Sequence, residues 1–373
     1  MRASRHSGSS PPAVSGPRVA VVDIGSNSVR LLLSDGADKT RAATVTALKA
    51  GAAADGSLSP AALERLASCL ADYATDIQDF GPDLVLAAGT SAVRDAPNHR
   101  EVGAVVNRHL LTELRILTGD DEAALAFAGA RRLFPGDGGA LVLDIGGGST
   151  EVVWGLDSRP AASISLPLGC VRQTERFITS DPPDADQVAA LAADAETLLV
   201  AGIESIGGRA ATGSLPLVGV AGTVTSIAAI THGRYDRETI HGCRLSLDAL
   251  IAVKNRLVGM SITERQRVPG LHPDRAAVII AGAVIAEESL RALGRDALIV
   301  SELDILDGLL ELALKEDVAG ASALSQKSLF VSDGCDRRDS SSSVSGIWPD
   351  MQETLRPSFA VDARPPLQTQ GPP

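Results

Sequence analysis

The chain predicts an α/β fold built as two domains with mixed sheets. Three observations carry that expectation. An apolar run that ends in an aspartate and a glycine turn occurs at Arg18 to Asn27 (RVAVVDIGSN) and again at Ala140 to Glu151 (ALVLDIGGGSTE). The same pattern without the aspartate spans Leu217 to Thr225, LVGVAGTVT. The length, 373 residues, suffices for two full cores.

The turns themselves point to a ligand. Gly146, Gly147 and Gly148 can take positive φ at little cost, and they let backbone N–H groups approach a ligand closely. Successive N–H groups in such a turn form a nest for an anion. A carboxylate beside an anion nest is repulsive unless a cation lies between them. Asp144 therefore suggests a divalent metal, Mg2+ or Mn2+, reached directly or through water.

In chain order, residues 1–17 read as a disordered Ser/Pro/Gly leader. Val19 to Ile24 is a strand, and a tight turn leads to a second at Ser28 to Ser34. A third at Arg41 to Lys49 makes the sheet mixed. Pro60 to Phe80 has helical apolar spacing, with Ser59 as its cap and Pro60 in its first turn. Strands at Asp83 to Ala88 and Arg115 to Leu117 bracket a helix at Arg100 to Leu111. Asp120, Asp121 and Glu122 open the next helix, where acids complement the dipole. The loop at Pro135 to Gly139 starts the second domain. Strands follow at Leu141 to Leu143, Glu151 to Leu156 and Ala162 to Leu166. Helices begin at Gly169 and, after the Asp184 cap, at Gln187. The strand at Leu217 to Val220 opens a helix at Thr223 to His232. Further helices span Ser246 to Val258, Ser261 to Gln266 and His272 to Leu293. A strand at Ala297 to Val300 and a helix at Asp304 to Leu314 close the ordered part. Residues 316–373 read as a low-complexity tail. The domains are thus 18–134 and 135–315, with the last helix free to pack back on the first.

Composition removes several function classes. Net charge is −12, the reverse of a general nucleic-acid binder, so no specific nucleic-acid partner is expected. A polyanion must then be held by local nests, metal and a few arginines. The four cysteines are scattered without a C-x-x-C, which argues against structural zinc and a disulfide framework. No 18-residue apolar run and no apolar signal core occur, so the expected location is the cytoplasm, with no membrane partner.

The ordered series DIGSNSVRLL, TSAVRDA, DIGGGSTE, LPLG and GVAGT resembles the exopolyphosphatase/guanosine pentaphosphate phosphatase family, within the actin-like ATPase superfamily. The resemblance covers about Val19 to Leu310. It implies two actin-like (ribonuclease H-like) domains with a cleft between them, of the short class without a helical C-terminal extension. It implies hydrolysis of the terminal phosphoanhydride of inorganic polyphosphate. The family signature places its catalytic glutamate on Glu122, with Asp121 in place of a first glutamate. Glu122 would orient a water and accept its proton. Asp23, Asp144 and Glu151 are the metal-linked carboxylates. Phosphate contacts fall on Gly25, Ser26, Asn27 and Ser28, on Gly146 to Gly148 with Ser149 and Thr150, on Gly222 and Thr223, and on Arg94. Arg30 either reaches substrate or turns to solvent. His272 with Arg267 and Arg275 forms a small basic group that would guide a phosphate chain. Near Leu303 the family's glycine and arginine are missing.

Three rivals stay open. A guanosine pentaphosphate (pppGpp) 5'-phosphohydrolase shares every motif, although no aromatic platform for a base stands out. An ATPase or sugar kinase fits TSAVRD and Glu122 less well. A weakly catalytic polyphosphate sensor fits the departures at Asp121, Cys170 and Leu303. Aliphatic helical faces allow a homodimer.

Overall fold

The computed structural model describes residues 16–134, 138–156 and 159–320, all within one compact unit; the other unit, residues 327–373, lies outside them. The expected leader and tail fall almost entirely outside the described residues.

The first sheet contains β1 (Val19–Ile24), β2 (Ser28–Ser34), β3 (Lys39–Val45), β4 (Leu84–Gly89) and β5 (Leu114–Ile116), in the order β3-β2-β1-β4-β5. The β1-β2 and β2-β3 pairs are antiparallel, whereas β4 and β5 run parallel to β1. Its helices are α1 (Pro60–Phe80), α2 (Ser91–Arg94) and α3 (His99–Leu110). Ser59 caps α1 by accepting from the Ala62 N–H, and Gly81 ends it in the left-handed region. β1 is buried along its whole length, which is why it reads as an unbroken apolar run.

Next come α4 (Gly119–Ala130) and the second sheet: β6 (Ala140–Ile145), β7 (Thr150–Leu156), β8 (Arg159–Leu166), β9 (Leu217–Val220), β10 (Arg244–Ser246) and β11 (Ala297–Val300). The order β10-β11-β9-β6-β7-β8 repeats the first sheet, with β6, β7, β8, β9 and β11 standing for β1 to β5 and β10 added at the edge. The helices are α5 (Cys170–Phe177), α6 (Ala185–Ser205), α7 (Gly208–Thr212), α8 (Ala221–His232), α9 (Arg237–Ile240), α10 (Leu247–Val258), α11 (Ile262–Arg265), α12 (Ile279–Leu293) and α13 (Ile305–Gly320). Two mixed sheets of one topology are the α/β fold the sequence predicts. Among the described residues, no helix is long and apolar enough to cross a membrane.

Two helices pack against the order of the chain. α4 precedes the second sheet but lies on β6, β7 and β8. α13 follows that sheet but lies on β1, β2 and β4. The two helices also pack on each other, backbone to backbone. A Cβ on Gly129 would sit 2.0 Å from the Asp304 carbonyl oxygen, and one on Gly308 would sit 2.1 Å from that of Leu125. These glycines serve close approach rather than turning.

The expected long helix from His272 is broken. Residues Pro273–Arg275 form a 3-10 turn, capped by the His272 ring, and α12 begins only at Ile279. Small residues buried on every side gave a continuous helical pattern, which concealed the break. β10, α7 and α9 are too short to leave a periodic signal.

Candidate active site

The two β-hairpins aim their turns at one another. β1 and β2 pair up to Ile24 and Val29, leaving residues 25–28 as a four-residue turn. β6 and β7 pair up to Ile145 and Thr150, leaving 146–149. Each turn closes with one bond, from the Gly25 N–H to the Ser28 carbonyl at 3.1 Å and from the Gly146 N–H to the Ser149 carbonyl at 3.0 Å. The third turn, at the start of α8, has no side-chain cap, so its first N–H groups face outward.

The glycines act differently from the expectation. None of Gly25, Gly146, Gly147, Gly148 or Gly222 has positive φ; in these turns Ala221 does, at 66°. The glycine run is required by contact. A Cβ on Gly147 would lie 2.8 Å from the Ser26 Cβ, and one on Gly148 would lie 2.4 Å from the Ser91 Oγ. The turns of the two halves therefore touch across the cleft floor, where Ser26 and Ser91 share a 3.2 Å hydroxyl contact.

Most of the expected residues line one cleft with about 630 Å3 of empty space. Asp23, Gly25, Ser26, Asn27 and Ser28 come from the first hairpin. Asp144, Gly146, Gly147, Ser149 and Glu151 come from the second. Glu122 comes from α4, and Gly222 and Thr223 from α8. Gly148, Thr150 and Arg94 do not line it. Gly148 is packed against Ser26 and Ser91, and the Thr150 hydroxyl donates to the Leu168 carbonyl. Arg94 sits in α2 and donates to Glu122 and, at 2.9 Å, to the Leu117 carbonyl. It is a partner of the glutamate in this structure.

Four buried carboxylates face this space, and burial is the leading cause that raises each of them. Glu122 is pushed well above the usual range by burial and then by the charge of Glu151, against Arg94. Asp144 is pushed well up by burial and Glu151, against Arg30. Glu151 rises through burial, opposed by bonds from Ser165 and Ser149; the Ser165 hydroxyl donates at 2.7 Å. Burial also raises Asp23, opposed by Arg30.

Two orphan atoms show what the cleft lacks. The Asp23 Oδ1 is a buried acceptor and the Asn27 Nδ2 a buried donor, and neither has a partner. Orphans of opposite sense suit a cation and an anion bound together. Hard carboxylate oxygens fit Mg2+ or Mn2+. Among the described residues, no three His, Cys, Asp or Glu side chains converge as a metal site.

Other contacts escaped the sequence. Asp121 belongs to the capping box of α4, exchanging bonds with Thr118 at 3.1 Å each way. Arg30 lines the cleft and is tied to two carboxylates: its Nε and Nη2 reach Asp23 at 2.9 and 2.5 Å, and its Nη1 reaches Asp304. Arg275 lines the cleft, and its guanidinium lies where a Gly222 Cβ would be, 2.1 Å away. His272 and Arg275, but not Arg267, line a second chamber that shares Ser28, Arg30, Ala221, Gly222 and Arg275 with the cleft. Ser165 is opposite Glu151 in register, a pairing visible only once β7 and β8 are aligned.

Exopolyphosphatase 2 of Mycobacterium tuberculosis is 37% identical over 321 residues, covering 78% of this chain and 97% of the relative. Exopolyphosphatase 1 of Mycobacterium bovis is 33% identical over 331 residues, covering 84% and 93%. The crystal structure of the Ppx/GppA member from Aquifex aeolicus superposes with a TM-score of 0.65 at 30% identity, over 81% of this chain and 98% of that one. The model of the Ppx/GppA phosphatase family matches residues 37–316. The chain belongs to the Ppx/GppA phosphatase family.

Proposed function

We propose that the chain is an exopolyphosphatase that cleaves the terminal phosphoanhydride of inorganic polyphosphate and releases orthophosphate. The observation that carries this reading is the position of Glu122. It is a buried carboxylate of raised basicity, facing three anion-binding turns and the orphan Asn27 donor. Glu122 accepts a proton from a water as the water oxygen bonds to the terminal phosphorus. The bridging P–O bond breaks, and the shortened chain leaves with the bridging oxygen. Backbone N–H groups of the turns hold the phosphate oxygens where charge develops. Arg94 holds Glu122 in place. Asp23 and Asp144, backed by Glu151, would hold a divalent cation, whose chemistry there is to neutralise phosphate oxygens. Buried free thiols at Cys69 and Cys170 suit a reducing cytoplasm.

One observation favours a second reading, pppGpp as substrate. The second chamber opens beside the cleft and is the roomier of the two. It is lined by Ala42, Ala43, Leu271 and Leu306, and by the half-exposed Tyr235 ring, the aromatic surface that the sequence did not reveal. The test is orthophosphate release with Mg2+ from short polyphosphate, long polyphosphate, pppGpp and ATP. Faster release from polyphosphate supports the main reading, and a preference for pppGpp favours the second. No release from any, with polyphosphate still bound, would leave a sensor.

A further inference from the structure

The cation that offsets Asp23 is itself held from a distant part of the chain. Arg30 stands opposite Asp23 in the β1-β2 register and gives both Nε and Nη2 to one oxygen, Oδ2. Its Nη1 goes to the Asp304 Oδ2. Asp304 is rigidly placed. Its Oδ1 accepts from the Leu306 N–H at 3.0 Å, its own N–H donates to Asp307 at 3.1 Å, and its carbonyl presses on Gly129 of α4. Asp307 in turn holds Lys39 at 2.9 Å and Arg41 at 2.5 Å. A line of ion pairs therefore runs from β3 through the start of α13 to the cleft carboxylate.

We propose that Asp304 is a positioning residue for the cleft. By claiming Nη1, it fixes Arg30 so that both other contacts fall on a single oxygen of Asp23. The Asp23 Oδ1 is then left free for a cation, and Arg30 is kept away from the bound phosphate. Without Asp304, the guanidinium is released to cover both Asp23 oxygens or to turn to phosphate. Cation affinity falls and anion affinity rises. A merely structural role would not produce such opposite changes, because damage to the cleft weakens both ligands. The inference rests on the hydrolase reading for its two ligands, a divalent cation and phosphate.

The experiment is calorimetric titration of the full chain with Mg2+ alone and with orthophosphate alone, comparing wild type, Asp304→Asn and Asp304→Ala. The expected result is a weaker Mg2+ affinity and a tighter orthophosphate affinity, each by about ten-fold in Asp304→Ala, equal to about 1.4 kcal/mol or one charge-assisted contact. Asp304→Asn keeps the shape and should shift both in the same directions by less. Lys39→Met, which removes an ion pair of the same line without touching Arg30, should lower the melting temperature and leave both affinities unchanged. Affinities that fall together, or that do not move, would overturn the proposal. A wild type that binds neither ligand would overturn it along with the hydrolase reading. A wild type that binds both but releases no orthophosphate from any substrate would sink the hydrolase reading alone, since opposite shifts remain measurable.

Discussion

The two hairpins of the cleft have the same length and register but opposite charge logic. In the first half, the three strands present Asp23, Arg30 and Ala43 side by side. In the second, the same places carry Asp144, Glu151 and Ser165. The first row is formally neutral. The second sets two carboxyl groups side by side, with hydroxyl bonds to Glu151 from Ser165 and Ser149. Duplicated backbone geometry thus gives two turns of one shape, one whose aspartate is paired with an arginine and one whose aspartate stands beside a second carboxyl. If the proposed function holds, a divalent cation between the turns would be demanded most strongly by the second half.

Breaking each row should therefore have opposite consequences for the metal-free protein. Arg30→Gln leaves Asp23 without its cation and Asp304 with Arg41 alone, at 3.8 Å. Removing one partner of such a buried pair should cost about 3 kcal/mol or more in a denaturant titration. Glu151→Gln removes a like charge from beside Asp144, so the metal-free protein should gain stability while Mg2+ stabilises it less. Equal losses in both variants would refute the comparison. Glu122→Gln tests the group that serves both halves. Orthophosphate release from polyphosphate should fall at least about 100-fold, with polyphosphate binding retained.

Acidity sharpens the contrast further. The raised carboxylates bind protons more tightly in the folded chain than in the unfolded one. The folded state therefore holds more protons between the ordinary carboxylate value of 4.5 or below and the raised ones. Stability of the metal-free protein should fall as pH rises through that window. Added Mg2+ should flatten the slope, because it takes the place of those protons. Melting curves across pH, with and without Mg2+, measure both effects, and an unchanged slope would contradict the demand of the second half for a cation. The smallest effect concerns the third turn. Ala221 holds a left-handed φ of 66°, where an L-residue is strained by roughly 1–2 kcal/mol. Glycine relieves that strain but adds unfolded-state entropy, so Ala221→Gly should change stability by under about 1 kcal/mol.

The elements that the sequence made legible are those whose signal is local. β1 and β6 are runs of apolar residues because they are buried throughout. α1 announces itself by Ser59 and Pro60, and α6 by Asp184, whose side chain accepts from the Gln187 N–H. Asp23 and Asp144 were visible because each stands beside a turn that constrains residue choice locally, whereas Glu122 was placed by the resemblance of its stretch to the family signature. Arg30 carried no comparable signal, since its two anions lie 7 and 274 positions away.

By itself, then, the sequence determined two copies of a strand-turn-strand unit and the polarity of their turns. These follow from hydrogen bonding and burial within a few residues. The tertiary structure decided the rest. It exchanged α4 and α13 between the sheets, set the glycines against side chains across the cleft floor, tied Arg94 to Glu122 and ran a line of ion pairs from β3 to Asp23. Those arrangements depend on the approach of segments far apart in the chain. Contact distance and electrostatics fix them, and no spacing along the sequence encodes either one.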